Sequence, residues 1–225
     1  MAVKLLLIRH GESEANIDRK FSGFQDVKLT EKGIWQAKRL AQRLREVKVD
    51  AVYCSNLSRA RHTAEIVFQN RGMNINIVPQ LKEINFGAWE GLTYEEVRLK
   101  FGYGEDFSSW PGNIDVKTVI PQGESIVKLN ARVIKALNEI LNKHLAGKND
   151  ETIAIVCHGG TIRVILANAL NINLGKIWNI GQGSTALNEI NYYNHTPFVN
   201  LINDMAHLED WREKDLDKIE GNNKK

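Results

Sequence analysis

Three short segments that suit buried β-strands, each ending in polar residues, constrain the fold more than any other feature of the chain. They cover residues 3–9, 49–55 and 152–158, and apolar runs of this kind are typical of strands inside a sheet. Apolar residues at helical spacing lie between them, in residues 30–47, 58–70 and 124–145. Strands that alternate with helices predict an α/β protein with a mostly parallel central sheet.

The chain shows no internal repeat and no linker rich in proline or serine. Its 225 residues, 43% of them hydrophobic, are sufficient for one large core. We therefore predict a single domain over residues 1–208. Residues of about 81–120, rich in glycine and aromatic side chains, are predicted to form an insertion that covers one edge of it. Residues 209–225 carry dense charge of both signs and are predicted to be a peripheral tail.

Charge and cysteine content exclude several classes of protein. The net charge is only +3, from 30 basic and 27 acidic residues, and the basic residues are spread along the chain, so nucleic acid is not an expected partner. Cys54 and Cys157 are too few for a disulfide framework. Because no segment has the pattern of a secretory signal or the apolar length of a membrane span, we predict a cytoplasmic protein without a membrane partner.

Charged and polar side chains lie at the carboxyl ends of the three predicted strands. Arg9 and His10 lie at the end of the first, Ser55 at the end of the second and His158 at the end of the third. The carboxyl ends of parallel strands meet at one edge of a sheet, where ligands bind, so we expect these side chains to lie close together.

This edge has the groups that bind a phosphate. Arginine donates two parallel hydrogen bonds to a phosphate, and the helix after the second strand supplies either Arg59 or Arg61 for a second such contact. Gly159 and Gly160, directly after His158, allow backbone N–H groups to face an anion at a helix N-terminus.

His10 suits the role of a nucleophile. A neutral imidazole attacks phosphorus and forms a phosphohistidine, which divides one difficult displacement into two easier ones. A carboxylic acid must then protonate the leaving oxygen and later take a proton from water. Glu83 leads into the covering insertion and is the favoured candidate, while spacing alone leaves Glu12 and Glu90 open.

Five motifs in residues 3–203 resemble, in order, those of the histidine phosphatase superfamily, whose fold is shared with cofactor-dependent phosphoglycerate mutases. They are IRHGE, SRARHTA, EINFGAWEGLTYEEV, PQGES and VCHGGTIR. The resemblance implies a phosphoglycerate mutase-like fold, a three-layer α/β/α sandwich. It also implies a metal-independent enzyme that needs no cofactor.

The resemblance assigns a role to each site residue. His10 is phosphorylated, and Glu83 is the proton donor and acceptor. The phosphate pocket consists of the side chains of Arg9, Arg59, His158 and Asn16 and the backbone N–H of Gly159. Gly11 is expected to bend the chain so that it passes close to the anion.

The covering insertion favours a hydrolase over a mutase. Residues 85–115 contain only Arg98 and Lys100 as cations, against six carboxylates, which disfavours a bisphosphate intermediate. FGAWEGLTYEEV also resembles the phosphatase branch, near broad-specificity and α-ribazole phosphatases. We predict hydrolysis of a small phosphorylated metabolite. The alternatives are a cofactor-dependent phosphoglycerate mutase and a non-catalytic module that binds phosphorylated ligands, and a homodimer is left open.

Overall fold

The computed structural model describes residues 2–104, 114–147 and 149–209. These residues contain six strands, which are β1 Ala2–Arg9, β2 Ala51–Cys54, β3 Ile75–Ile77, β4 Glu151–Cys157, β5 Leu187–Tyr193 and β6 Thr196–Asp204. Their α-helices are α1 Glu14–Ile17, α2 Glu31–Leu44, α3 Ser58–Phe68, α4 Tyr94–Phe101, α5 Ile126–Leu145 and α6 Gly159–Ala169. None of the helices in these ranges has the length and apolar character needed to cross a membrane.

The strands form one sheet in the order β3-β2-β4-β1-β5-β6. The first four are parallel, and β5 and β6 run antiparallel to their neighbours. The predicted mostly parallel α/β sheet is confirmed. The antiparallel pair is a hairpin whose two turn residues, Asn194 and His195, have positive φ angles of 46° and 69°, as tight hairpin turns require.

Both faces of the sheet are covered by helices, which explains the uniformly apolar strands. In β1, Leu5 and Leu7 pack with α5 and α6, whereas Leu6 and Ile8 pack with α2 and α3. Successive side chains of a strand point to opposite faces, so burial on both faces requires apolar residues at consecutive positions. The predicted three-layer α/β/α arrangement is confirmed.

Capping side chains set the helix boundaries. The Thr30 hydroxyl accepts a hydrogen bond from the Gly33 N–H at 3.0 Å, which confirms the predicted start of α2. Ser125 caps α5 in the same way, so that helix begins two residues after its predicted start. Helix α3 ends two residues before its predicted end, because a 3₁₀ turn, Gln69–Arg71, follows it directly and ends at Gly72.

The described part of the predicted insertion packs beside the carboxyl-terminal edge of the sheet. It contains helix α4, and an aromatic cluster of Phe86, Trp89 and Tyr94 packs against Phe21. Residues 105–113 of the insertion and the predicted tail from residue 210 lie outside the described residues. The domain boundaries therefore stay a prediction.

Candidate active site

A cavity of about 680 Å³ opens at the edge where β1 and β4 end. Five of the seven predicted site residues line it, namely Arg9, His10, Asn16, Glu83 and Gly159. The other two, Arg59 and His158, are fully buried. The ring centroids of His158 and His10 are 5.2 Å apart. The structure thus brings the predicted residues together, as adjacent parallel strands require.

His10 is fixed by its backbone and by its own ring. Its N–H donates to the Cys157 carbonyl at 3.0 Å, and its carbonyl accepts from the Thr185 N–H at 3.2 Å. The ring atom Nδ1 lies 2.7 Å from the Gly11 carbonyl oxygen, which only accepts, so Nδ1 carries the proton and Nε2 keeps its lone pair. Burial and the cations Arg59 and Arg9 lower the pKa of His10 well below its ordinary value. The ring is therefore neutral at pH 7.

Arg9 and Arg59 hold their guanidinium groups beside this ring through backbone carbonyls. Arg9 donates to the carbonyl of Gln182 at 2.5 Å, and Arg59 donates to those of Gly23 and Gln25, both at 2.8 Å. The Nε–H of each arginine is buried without a partner among the described residues. Burial lowers the pKa of Arg59 to about 10 and also lowers that of Arg9. Buried donors without acceptors are costly, so these groups fit an oxyanion.

The structure decides between the two arginines that spacing left open. Arg59 is completely buried, whereas Arg61 is exposed and its Nη2 lies 3.8 Å from Oε1 of Glu65. Residues two positions apart point to different sides of a helix. Arg59 therefore lies beside the site, and Arg61 belongs to the outer surface.

His158 and Gly159 add two more polar groups without partners in the part of the chain that the structure describes. The Nε2 of His158 lies 2.8 Å from the Ser55 hydroxyl, while its Nδ1 is buried without a partner in the described chain. The Gly159 N–H, in the first turn of α6, likewise has no acceptor among the described residues. Ser55 was not predicted to act, and its position directly after β2 is the signal that would have found it.

The Glu83 carboxylate lies beside α6. Both of its oxygens accept from the Gly160 N–H, at 3.0 and 3.1 Å. The backbone before it is held by Arg132 of α5, which donates to the carbonyls of Lys82 and Glu83 at 3.0 and 2.7 Å. Arg132 also pairs with Glu124 of the PQGES motif. Sequence reasoning assigned no role to Arg132, and we regard it as a positioning residue.

The two rival carboxylates have other contacts. Glu12 accepts from the Thr30 hydroxyl at 3.0 Å and pairs with the ammonium of Lys32 at 3.0 Å. Glu90 accepts from the Phe24 and Phe86 N–H groups at 2.8 and 3.1 Å. Neither is among the residues that line the cavity, so Glu83 is the one candidate of the three that faces it.

Asn16 and Gly11 have contacts beyond those expected. Asn16 lines the cavity, but its Oδ1 accepts from the Ser13 N–H and hydroxyl at 3.0 and 2.9 Å, so only its amide NH₂ is left for a ligand. A Cβ on Gly11 would lie 2.5 Å from the Gly33 carbonyl oxygen, so the close approach of α2 requires a glycine at this position. The expected passage of Gly11 close to an anion stays a prediction.

Several residues that line the cavity were not predicted from the sequence, and Arg163 and Trp178 are two of them. Arg163 lies one turn after Gly159 in α6. The helical spacing from Gly159 would have indicated Arg163. No group of three or more metal-ligating side chains was found in the described ranges.

Replacing Gly160 with alanine is expected to lower kcat by about 10²-fold, the scale of a misplaced reacting group. A Cβ at this position overlaps Oε1 of Glu83, and that carboxylate is the end of a flexible side chain, so it moves while the fold stays intact. Steady-state kinetics measures the loss of kcat, and a thermal melt shows whether the fold is intact.

Gly147→Ala is the matched control. Its Cβ would make an ordinary 3.4 Å contact with the His144 carbonyl oxygen, and full activity is expected. Wild-type kcat in Gly160→Ala would contradict the proposed placement of the Glu83 carboxylate.

Comparison with known proteins agrees with the family that the sequence motifs resemble. The family model of the histidine phosphatase superfamily (branch 1) matches residues 5–205. The adenosylcobalamin/alpha-ribazole phosphatase of Salmonella typhimurium is 34% identical over 183 residues, 79% of this chain and 84% of that protein. Phosphoserine phosphatase 1 of Hydrogenobacter thermophilus is 32% identical over 206 residues, 92% of this chain and 94% of that protein. The solved structure of Bacillus stearothermophilus YhfR has a TM-score of 0.83 and 32% identity, and the match covers 92% of this chain and 100% of that chain.

Proposed function

The chain belongs to the histidine phosphatase superfamily, and from this we propose that its site hydrolyses small phosphomonoesters through a phosphohistidine on His10. The predicted family, its phosphatase branch and the phosphoglycerate mutase-like fold are confirmed. One observation supports the residue roles above all others. A neutral histidine with a free Nε2 lies beside buried N–H donors that have no acceptor.

In the first step, the phosphate dianion lies among Arg9, Arg59, His158 and the Gly159 N–H. Nε2 of His10 attacks phosphorus as the bond from phosphorus to the ester oxygen breaks. Protonated Glu83 gives its proton to that oxygen, and the alcohol leaves. The Nδ1–H bond to the Gly11 carbonyl stabilises the ring as it gains positive character.

In the second step, the Glu83 carboxylate takes a proton from water as the water oxygen attacks phosphorus. The bond between phosphorus and Nε2 breaks, inorganic phosphate is released, and His10 returns to its neutral form. Glu83 is again protonated and ready for the next substrate. One carboxyl group therefore serves as acid and then as base.

Electrostatics accounts for the stabilisation of the transferred group. Arg9 and Arg59 carry two positive charges that offset those of the dianion, and both are held in place before the substrate arrives. Fixed donors in a buried site stabilise developing charge without reorganising, which is the largest contribution in phosphoryl transfer. The Asn16 amide is proposed to supply one more donor at the cavity wall.

Treatment with EDTA is expected to leave the release of phosphate from p-nitrophenyl phosphate unchanged, because the proposed steps use only side chains and water. The measurement is a phosphate assay on treated and untreated protein. Rapid interconversion of 3- and 2-phosphoglycerate with little phosphate released would identify a mutase instead. Tight phosphate binding without any turnover would identify a binding module.

A further inference from the structure

Arg163 lines the cavity, and the proposed steps do not use it. Its Nε donates to the Ile180 carbonyl at 2.8 Å, and its guanidinium carbon lies 5.3 Å from the centre of the Trp178 ring. In the described part of the chain, no carboxylate forms an ion pair with it. Burial lowers the pKa of Arg163 to about 10 and nearby Arg9 acts in the same direction, whereas the Glu83 carboxylate opposes them. This cation is therefore held in the wall without an ion pair, and its nearby countercharge is Glu83, the proposed proton donor.

Arg163 lies close to the side of the cavity from which the alcohol part of the substrate would leave. The point where a Cβ on Gly159 would stand lies 2.8 Å from Nη1 of Arg163, 3.6 Å from Nε of Arg9 and 3.8 Å from Oε2 of Glu83. A phosphate-binding group, the proposed proton donor and a third cation thus surround one small volume. Because Glu83 protonates the ester oxygen, the alcohol part of the substrate leaves on this side, next to Arg163.

The charges in the complex point to the chemistry of that alcohol. Arg9 and Arg59 offset the phosphate dianion, and Glu83 is neutral when it is ready to donate its proton. The positive charge of Arg163 is then left over, and a buried unpaired charge is costly. A single negative group on the substrate would balance it.

The cavity mouth favours the same kind of ligand. Arg19 lines the cavity from an exposed position and has no carboxylate partner in the described ranges. Its φ of 53° lies in the left-handed region, which is unfavourable for a residue with a side chain. Its neighbour Lys20 also lines the cavity, with its ammonium 3.3 Å from Asp18. The unpaired charge of Arg19 therefore attracts anionic substrates to the cavity.

We propose that Arg163 determines specificity by binding a carboxylate on the alcohol part of the substrate. The preferred substrates are then phosphomonoesters of small hydroxy acids. A guanidinium suits this task because its planar fork donates two parallel hydrogen bonds to a carboxylate. The inference rests on the proposed hydrolysis and adds the substrate class to it.

Two pairs of esters isolate the carboxylate. O-phosphoserine and O-phosphoethanolamine differ only in that group, and 3-phosphoglycerate and glycerol 3-phosphate repeat the comparison without an amine. We expect the wild type to prefer the carboxylated ester of each pair by about 10- to 100-fold in kcat/KM, the usual range for hydrogen bonds between charged groups. In Arg163→Met this ratio falls to within about threefold of unity, mainly through KM, because the hydrogen bonds to the carboxylate are lost.

Two further variants make the result specific. Arg163→Lys keeps the charge and is expected to retain part of the preference, whereas Arg61→Met, on the outer surface of α3, retains all of it. An unchanged ratio in Arg163→Met would overturn the inference, since an arginine that binds the transferred phosphoryl group affects both esters equally. A wild type without any preference would also overturn it. Turnover of none of the four esters would overturn the proposed function and this inference with it.

Discussion

His10→Ala is expected to lower kcat by at least about 10⁴-fold for every phosphomonoester, as the loss of a covalent nucleophile does in other enzymes. No other neutral imidazole in the described residues combines a free Nε2 with a place in the cavity wall. The phosphate-binding groups remain, because Arg9 and Arg59 are held by backbone carbonyls and not by His10. The variant should therefore still bind phosphate. Steady-state kinetics and a phosphate titration of the same preparation measure both properties.

The control for this variant is His62→Ala. His62 lies on the exposed side of α3, so its loss is expected to leave kcat unchanged. More than about 1% of wild-type activity in His10→Ala would contradict the role of this histidine as nucleophile, because loss of a nucleophile costs far more.

Glu83→Gln is expected to lower kcat for alkyl phosphates by about 10²- to 10⁴-fold, the usual contribution of a general acid or base. The amide oxygen still accepts from the Gly160 N–H, so the side chain keeps its place but has no proton to give. An alkoxide is a poor leaving group without protonation, whereas p-nitrophenolate leaves unaided. The first step should therefore be impaired much less with p-nitrophenyl phosphate, and single-turnover kinetics on both esters measures the difference.

Glu12→Gln is the matched control. This carboxylate is adjacent to the reactive histidine in sequence but contacts Thr30 and Lys32 at the start of α2. Activity close to wild type is expected. If Glu12→Gln were as impaired as Glu83→Gln, or if Glu83→Gln affected both esters equally, the proton-transfer role would belong to another group.

The features that could be predicted from sequence are those set by strand ends. Arg9 ends β1, His10 follows it, and His158 follows β4. Both strands are buried on both faces, and the parallel order β4-β1 brings those ends together. The motif resemblance favours Arg59, but the residues by themselves distinguish it from Arg61 only by the direction in which each leaves its helix. That direction depends on how α3 rotates against the sheet, which spacing does not give.

The supporting contacts could not be predicted, because they join elements far apart in the chain. Ser55 orients His158 from a different strand, and Arg132 holds the backbone of Glu83 from a helix that begins more than forty residues later. The carbonyl of Gln182 holds Arg9, and the Gln182 side chain is itself fixed by reciprocal amide bonds of 2.8 and 3.0 Å to buried Asn188. Such bonds follow from the packed fold and leave no periodic signal in the sequence.

The charge of the cavity is another feature that the sequence predicts only in part. The composition of residues 85–115 predicts a segment poor in cations, and the structure instead supplies the cations of the cavity from the end of β1, from α6 and from the loop after α1. The composition of the insertion alone therefore underestimates the positive charge of the cavity. Arg163 of α6 adds a cation that this composition does not include.

Trapping the covalent intermediate is the sharpest test of a phosphohistidine on His10. The protein is mixed for a few milliseconds with a radiolabelled phosphomonoester, denatured in alkali and digested. We expect a label that is stable in alkali, labile in acid and located on the peptide that contains His10. This label should pass to inorganic phosphate when unlabelled substrate is added before denaturation. Turnover without any such label, or a label on a different residue, would contradict it.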